Sequence, residues 1–315
     1  MKQALSGLFL FLVVFLIVIP YFLTRSPRPP AEKLTVHLFL KERGRLRRIE
    51  LEDYLIGVLA GEMPASFSLE ALKAQAVAAR TVTVKRMRAF GGRGSSAHPR
   101  ADVSNESRES QAWLSRRDMI KKWGFWGYLR NRARIAEAVK NTAGLVLTYN
   151  GELIDAVYHS TSGPRTENAG EIWGTDLPYL QSVACSFGRH SPKYKGEKAF
   201  SYAEFWTKLG MEPAAKNPPD LRILEYTTGG RVKSLTVNGR KMQGETFRRL
   251  LGLNSSCFSW RLSADGIFLQ TTGYGHGVGL CQYGADGLAR QGWDFRSILK
   301  YYYRGVDIVR LQIRG

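Results

Sequence analysis

The stretch Leu51–Arg86, LEDYLIGVLAGEMPASFSLEALKAQAVAARTVTVKR, limits the possible folds more than any other. After Pro64, the residues Leu69, Leu72, Ala76 and Ala79 recur at helical spacing, which predicts a helix with that face buried. Ser68 is placed to cap it, and Glu70 falls in the first turn, where the helix dipole favours negative charge. Gln75 and Arg80 are polar residues on a helix otherwise rich in small ones. Just upstream, Glu62 sits in the run Leu59-Ala60-Gly61-Glu62-Met63-Pro64. Burial among such neighbours disfavours the charged carboxylate and raises its pKa. A raised pKa suits a general acid. A lone glutamate of this kind is more often a satisfied carboxylate at a helix entry, so the rest of the chain has to discriminate.

A chain of 315 residues has ample sequence for a core, in one large domain or two ordinary ones. Its 46 basic against 27 acidic residues give a net charge of +19, which favours an anionic partner. No helix-turn-helix spacing, zinc-finger pattern or aromatic RNA-binding signature accompanies that charge, so nucleic acid is not the expected partner. Leu5–Thr24 carries no charge, and about 20 apolar residues suffice to cross a bilayer as a helix. No small-x-small cleavage site follows, so residues 1–24 read as an uncleaved anchor and 25–33 as a Pro-rich linker. Taken alone, Arg25, Arg28 and Lys33 after the span would keep the body in the cytoplasm. Cys185, Cys257 and Cys281 form no CxxC pair, so no structural zinc is expected and three separate core thiols are the simplest reading.

The remainder reads as α+β: a mixed body of β-hairpins and helices over 34–315, with a smaller subdomain at about 186–270. Leu34–Leu40 and Leu46–Leu51 suggest paired strands. Ser115–Val139 looks helical in pieces, with Trp123, Phe125, Trp126, Tyr128 and Leu129 as a packing cluster or, less simply, a sugar-stacking platform. Asn150-Gly151 marks a hairpin between Leu145–Tyr149 and Glu152–Tyr158, and Asn238-Gly239 marks a second. Helices are expected over Tyr202–Leu209, from Gly244 through Leu251, over Asp286–Arg290 and over Phe295–Tyr303, and a last strand over Asp307–Ile313. Two loops carry chemistry. The first, His159–Asn168, is dense in hydroxyls and includes Ser160, Ser162 and Glu167. On a strand, His159 points away from its neighbour Ser160, so the loop reads as hydrogen-bonding equipment for a polar ligand and not as a serine nucleophile with its base. The second, Gly273–Ala285, places His276, Gln282 and Tyr283 around a glycine-rich bend that lacks the ending of a phosphate loop. A Cys281–His276 thiol nucleophile remains a minor alternative, because no third orienting group accompanies it.

Four separated stretches, Leu51–Thr81, Ala156–Gly174, Val237–Leu253 and Gly273–Ala289, together resemble the SpoIID/LytB family. The resemblance covers nearly all of the chain after the linker. It implies a peptidoglycan lytic transglycosylase of engulfment during sporulation, with Glu62 of the E-M-P motif as the catalytic acid; some members of the family are associated with a zinc ion held by Cys and His, but no cysteine lies near His159 in the sequence, so no metal or other cofactor is expected. It implies cleavage of denuded glycan strands between N-acetylmuramic acid and N-acetylglucosamine to give 1,6-anhydromuramoyl ends. It also implies a SpoIIP-type amidase and a SpoIIM-type membrane protein as partners, and a body held on the extracytoplasmic side of the membrane by its N-terminal helix. Substrate contacts are then expected from Gln75, Arg80, His159, Ser160, Ser162, Glu167, His276, Gln282 and Tyr283, with Arg80 meeting the lactyl carboxylates. The alternative within the family is a non-catalytic glycan-binding scaffold or amidase enhancer. Two positions depart from the family pattern: Pro164 follows Ser162-Gly163 where a second glycine is usual, and Cys281 stands where a small residue is usual.

Overall fold

The computed structural model describes residues 34–106, 110–211 and 218–311. The expected anchor and linker over residues 1–33 lie outside the described residues. Among those described, no helix is long and apolar enough to cross a membrane.

The chain enters through β1 (Thr35–Leu40) and β2 (Arg45–Glu50), an antiparallel pair in register from Thr35 opposite Glu50 to Leu40 opposite Arg45. It then forms α1 (Leu51–Glu62) and α2 (Leu69–Arg86). The first of these ends because Met63 is extended before Pro64, whose ring disfavours helical backbone in the preceding residue. Ser68 occupies the N-cap position of α2, but its hydroxyl makes no capping bond, and its N–H donates instead to Asp286 Oδ1 at 2.7 Å. Glu70 pairs with Lys73 Nζ at 2.6 Å and accepts from the Phe295 N–H at 2.9 Å. Ala71, Leu72, Ala74, Ala76, Val77, Ala78 and Ala79 are all buried, so α2 is the axis on which the main core is assembled.

β3 (Val103–Ser104) adds to β1 in parallel. The segment that follows packs on α1 because that helix offers glycines there. A Cβ on Gly57 would fall against the Trp113 indole, and one on Gly61 would lie 2.9 Å from the Ala112 carbonyl oxygen. α3 (Arg116–Asn141) opens with a Ser115–Asp118 capping box and kinks at Gly124, whose φ is +69°. Tyr128 is buried as a packing aromatic should be, whereas Phe125 and Trp126 stand exposed.

β4 (Leu145–Tyr149) and β5 (Glu152–Leu153) form the expected hairpin, with Asn150 and Gly151 both at positive φ. The second strand is shorter than the sequence suggests. After Leu153 the chain leaves the hairpin, and β6 (Tyr158–His159) pairs in parallel with a strand formed much later. A single helical turn, α4 (Ala169–Trp173), follows.

Residues 195–272 build their own apolar cluster around Phe205, Trp206, Phe247, Leu235 and Ile267. It comprises β7 (Lys195–Ser201), α5 (Tyr202–Leu209), β8 (Leu221–Tyr226), β9 (Val232–Val237), β10 (Arg240–Gln243), α6 (Gly244–Leu251), β11 (Phe258–Leu262) and β12 (Gly266–Thr272). These strands form two three-stranded antiparallel sheets, β10-β9-β8 and β11-β12-β7. The chain then supplies β13 (Leu280–Cys281), the partner of β6, followed by α7 (Gln282–Arg290), α8 (Phe295–Tyr302) and β14 (Asp307–Arg310), which closes on β4. α7 begins four residues before the expected helix because the Cys281 sulfur caps it, accepting from the Gly284 N–H at 3.2 Å. The parallel β6–β13 pair brings the hydroxyl-rich and glycine-rich loops side by side.

Candidate functional site

Glu62 is the last residue of α1, half-buried at the edge of a cleft of about 540 Å³. Gly61 permits the backbone at Ala112 to approach, and the Ala112 N–H donates to Glu62 Oε1 at 2.6 Å. Burial raises the Glu62 pKa, while the bonds from Ala112 and from the Tyr158 hydroxyl act against it. The helix C-terminus, where the macrodipole is negative, pushes the same way as burial. Tyr158 donates to Gln111 Oε1 at 2.7 Å, with the Glu62 carboxylate as a competing acceptor. Burial and the nearby Glu62 charge hold the Tyr158 phenol well above its ordinary pKa, so it stays a donor. Among the described residues lining the cleft, Glu62 is the one carboxylic acid.

The opposite wall comes from the two loops. His159 is buried, with Nδ1 3.1 Å from the Val278 carbonyl oxygen and Nε2 2.7 Å from Ser162 Oγ. Since a carbonyl only accepts, Nδ1 carries the proton and Nε2 receives the Ser162 hydroxyl. His276 is fixed in the other tautomer: Nε2 donates to the Tyr158 carbonyl at 3.0 Å and Nδ1 accepts from the Val278 N–H at 3.1 Å. Burial, then the neighbouring His159 and Arg231, push the His276 pKa down to about 3, so it is neutral across the physiological range. Trp173 leans on His276 with ring centroids 5.2 Å apart and remains 47% exposed, which leaves its other surface open beside the cleft. Lys193 lies over the Tyr274 ring at 4.2 Å.

The structure brings Glu62, His159, Ser160, His276 and Gln282 together around one cleft. It places the other expected contacts elsewhere. Arg80 is fully buried and does not line the cleft. It makes a two-pronged pair with Glu52, Nε to Oε1 at 3.0 Å and Nη2 to Oε2 at 2.5 Å, and also donates to the carbonyls of Leu145 and Val139 at 3.1 and 3.3 Å. Gln75 is buried behind the cleft, where its Oε1 accepts from Gln282 Nε2 at 3.4 Å. Ser162 is buried beneath His159. Glu167 is buried against Arg231, 3.4 Å from Oε1 to Nε. Arg231 in turn donates to the Gly275 carbonyl at 2.7 Å, so this pair supports the glycine-rich loop from behind. Tyr283 packs edge-on against Phe67 at 4.8 Å, away from the cleft. Cys281 is buried and faces His159, not His276, and its sulfur accepts from the Ser162 N–H at 3.2 Å. The unforeseen lining residues are Arg86, Ser110, Gln111, Tyr158, Lys193 and Tyr274.

A SpoIID family profile, described as a stage II sporulation protein, matches residues 41–149. Stage II sporulation protein D of Bacillus subtilis is 39% identical over 278 residues, covering 88% of this chain and 80% of that protein. Its Bacillus amyloliquefaciens counterpart is 39% identical over 90% of this chain and 82% of its own. The chain belongs to the SpoIID family. A more distant SpoIID relative is the amidase enhancer of Bacillus subtilis, 28% identical over 81% of this chain and 40% of its own length. The SpoIID family profile includes Glu62, α2 and the Ser110–Ala112 segment, whereas the loops of the opposite wall lie beyond it.

Proposed function

We propose that this SpoIID-family sporulation protein is a lytic transglycosylase that cuts peptide-free peptidoglycan strands between N-acetylmuramic acid and N-acetylglucosamine. The observation that carries the reading is the Glu62 carboxyl, the one acid among the described residues lining its cleft, with its pKa raised by burial. Hydrolytic glycosidases need a second carboxylate, to activate water or to attack the sugar. A transglycosylase does not, because the substrate supplies the nucleophile. Protonated Glu62 donates to the glycosidic oxygen as the bond to the muramoyl anomeric carbon breaks. The resulting carboxylate takes the proton of the muramoyl 6-hydroxyl, whose oxygen bonds to that carbon. Glu62 ends protonated, the product is a 1,6-anhydro sugar, and no water is consumed. Ser160, Gln282 and the Tyr158 hydroxyl offer hydrogen bonds to acetamido and hydroxyl groups, and neutral His276, with both ring nitrogens engaged, shapes the wall without adding charge.

In the same reading the body lies outside the cytoplasm, tethered through Leu5–Thr24, and works with a SpoIIP-type amidase that strips the peptides and a SpoIIM-type membrane protein. The test is the Glu62→Gln variant. It is expected to bind glycan and yield no anhydro ends, and anhydro ends at the parent's rate would remove Glu62 from the mechanism. The relative named amidase enhancer favours one other reading, a glycan-binding scaffold that stimulates an amidase. That reading predicts amidase stimulation by the parent and by Glu62→Gln alike, with no anhydro product from either.

A further inference from the structure

Beside the Glu62 cleft lies a larger cavity of about 850 Å³. Val82, Arg86 and Val157 line both, so the two meet along the last turns of α2 as one trough. The far part is basic: among the described residues lining it, Lys85, Arg86 and Arg93 stand against a single acid, Asp155. Lys85 is already neutralised by Asp155, 2.8 Å from Nζ to Oδ2. Arg93 is exposed and makes no ion pair among the described residues.

The loop that carries Arg93 is built to hold it there. The Gly92 and Gly94 N–H groups donate to the carbonyls of Met87 and Arg86, both at 3.0 Å, which ties the loop to the C-terminal end of α2. A Cβ on Gly92 would fall 2.3 Å from the Arg86 carbonyl group, so only glycine allows this approach. Gly91 and Gly94 turn the chain on either side with φ of +79° and +70°. An arginine presented from a tied loop at the rim of an open trough can grip a carboxylate with its planar fork.

We infer that this cavity is a second subsite of the glycan trough, one that takes a carboxylate-bearing sugar at a distance from the bond cleaved, with Arg93 and Arg86 as its carboxylate-recognising groups. The inference rests on the glycan reading above and replaces Arg80, which is buried, as the source of recognition for the lactyl anion. The subsite would make action dependent on strand length, because a short oligomer fills the Glu62 cleft without reaching Arg93.

The test uses protein carrying Glu62→Gln, so that binding is read without cleavage. Its affinity is measured for peptide-free glycan oligomers of increasing length and for the same oligomers with their carboxylates methyl-esterified. The parent is expected to bind the long carboxylate form more tightly than the ester, by a margin that shrinks as salt is added. Adding Arg93→Glu is expected to cost roughly tenfold in affinity for the long carboxylate form and far less for the ester, since it reverses a single charge at a solvent-exposed site. An unchanged thermal midpoint confirms that the variant is folded. Equal affinity of the parent for acid and ester, or equal losses on both in Arg93→Glu, overturns the subsite and leaves the cleavage reading standing. Failure of the parent to bind any glycan overturns both.

Discussion

Replacing Arg80 with methionine separates a ligand contact from a buried strut. The guanidinium has no exposed surface and ties together the start of α1 through Glu52, the end of α3 through Val139 and the start of β4 through Leu145. Methionine keeps much of the aliphatic stem, so the loss is mainly polar. Glu52 is 38% exposed and can be rehydrated, which makes its share small. The Val139 carbonyl keeps its bonds from the Thr142 N–H and hydroxyl, but the Leu145 carbonyl loses its side-chain donor, and a buried acceptor left without a donor costs about 1–3 kcal/mol. For a chain of this size that corresponds to a fall in midpoint of roughly 5 °C. The assay is thermal and urea unfolding, alongside glycan affinity measured well below the midpoint. Destabilisation with near-parental affinity is the expected result. A parental midpoint with lost affinity would refute the reasoning and return Arg80 to the substrate.

Three further outcomes follow from the geometry. Tyr158→Phe removes a hydroxyl that favours ionised Glu62, so the Glu62 pKa rises and the alkaline limb of the pH–rate profile moves to higher pH; a limb that stays in place would separate Tyr158 from Glu62. Gly277→Ala puts a Cβ 2.6 Å from the Arg231 guanidinium at a φ of +85°, and is expected to displace the loop bearing His276, lowering both the midpoint and product formation. Glu62→Gln tests the burial cost directly. The folded pKa of Glu62 is raised, so the folded state binds the proton more tightly than the unfolded chain and stability falls as pH rises through that pKa. The variant is therefore expected to melt above the parent at neutral and alkaline pH, with the difference vanishing in acid; equal midpoints at all pH would contradict the raised pKa.

Much of the local structure was legible because its causes are local. Asn150-Gly151 and Asn238-Gly239 take the positive φ values their hairpins require, and the alanine-rich face of α2 is buried as its spacing predicts. Glu62 could be singled out by its apolar neighbours, although the sequence suggests a helix entry there and the residue closes α1 instead. Tertiary contacts were not legible. A lone arginine reads alike whether it meets solvent, ligand or carbonyls, and only the fold shows that Arg80 meets Glu52, Val139 and Leu145. Tyr158 looked like a strand residue because its role depends on β6 leaving the hairpin for β13, a pairing between residues far apart in sequence. Nothing in the run Ser110-Gln111-Ala112 itself marks it as part of a site. The approach that matters there is permitted by Gly57 and Gly61 on another element. His159 was correctly separated from its neighbour Ser160, but its bond to Ser162 spans a turn that alternation does not describe.

The central claim is that Glu62 alone performs the acid and base steps of an internal displacement. It is tested most directly by mass spectrometry of peptide-free glycan strands incubated with the purified protein and with Glu62→Gln. The account predicts 1,6-anhydromuramoyl ends from the parent, with no oxygen incorporated from labelled water, and none from the variant. Reducing ends carrying the water label, or anhydro ends from Glu62→Gln, would contradict it.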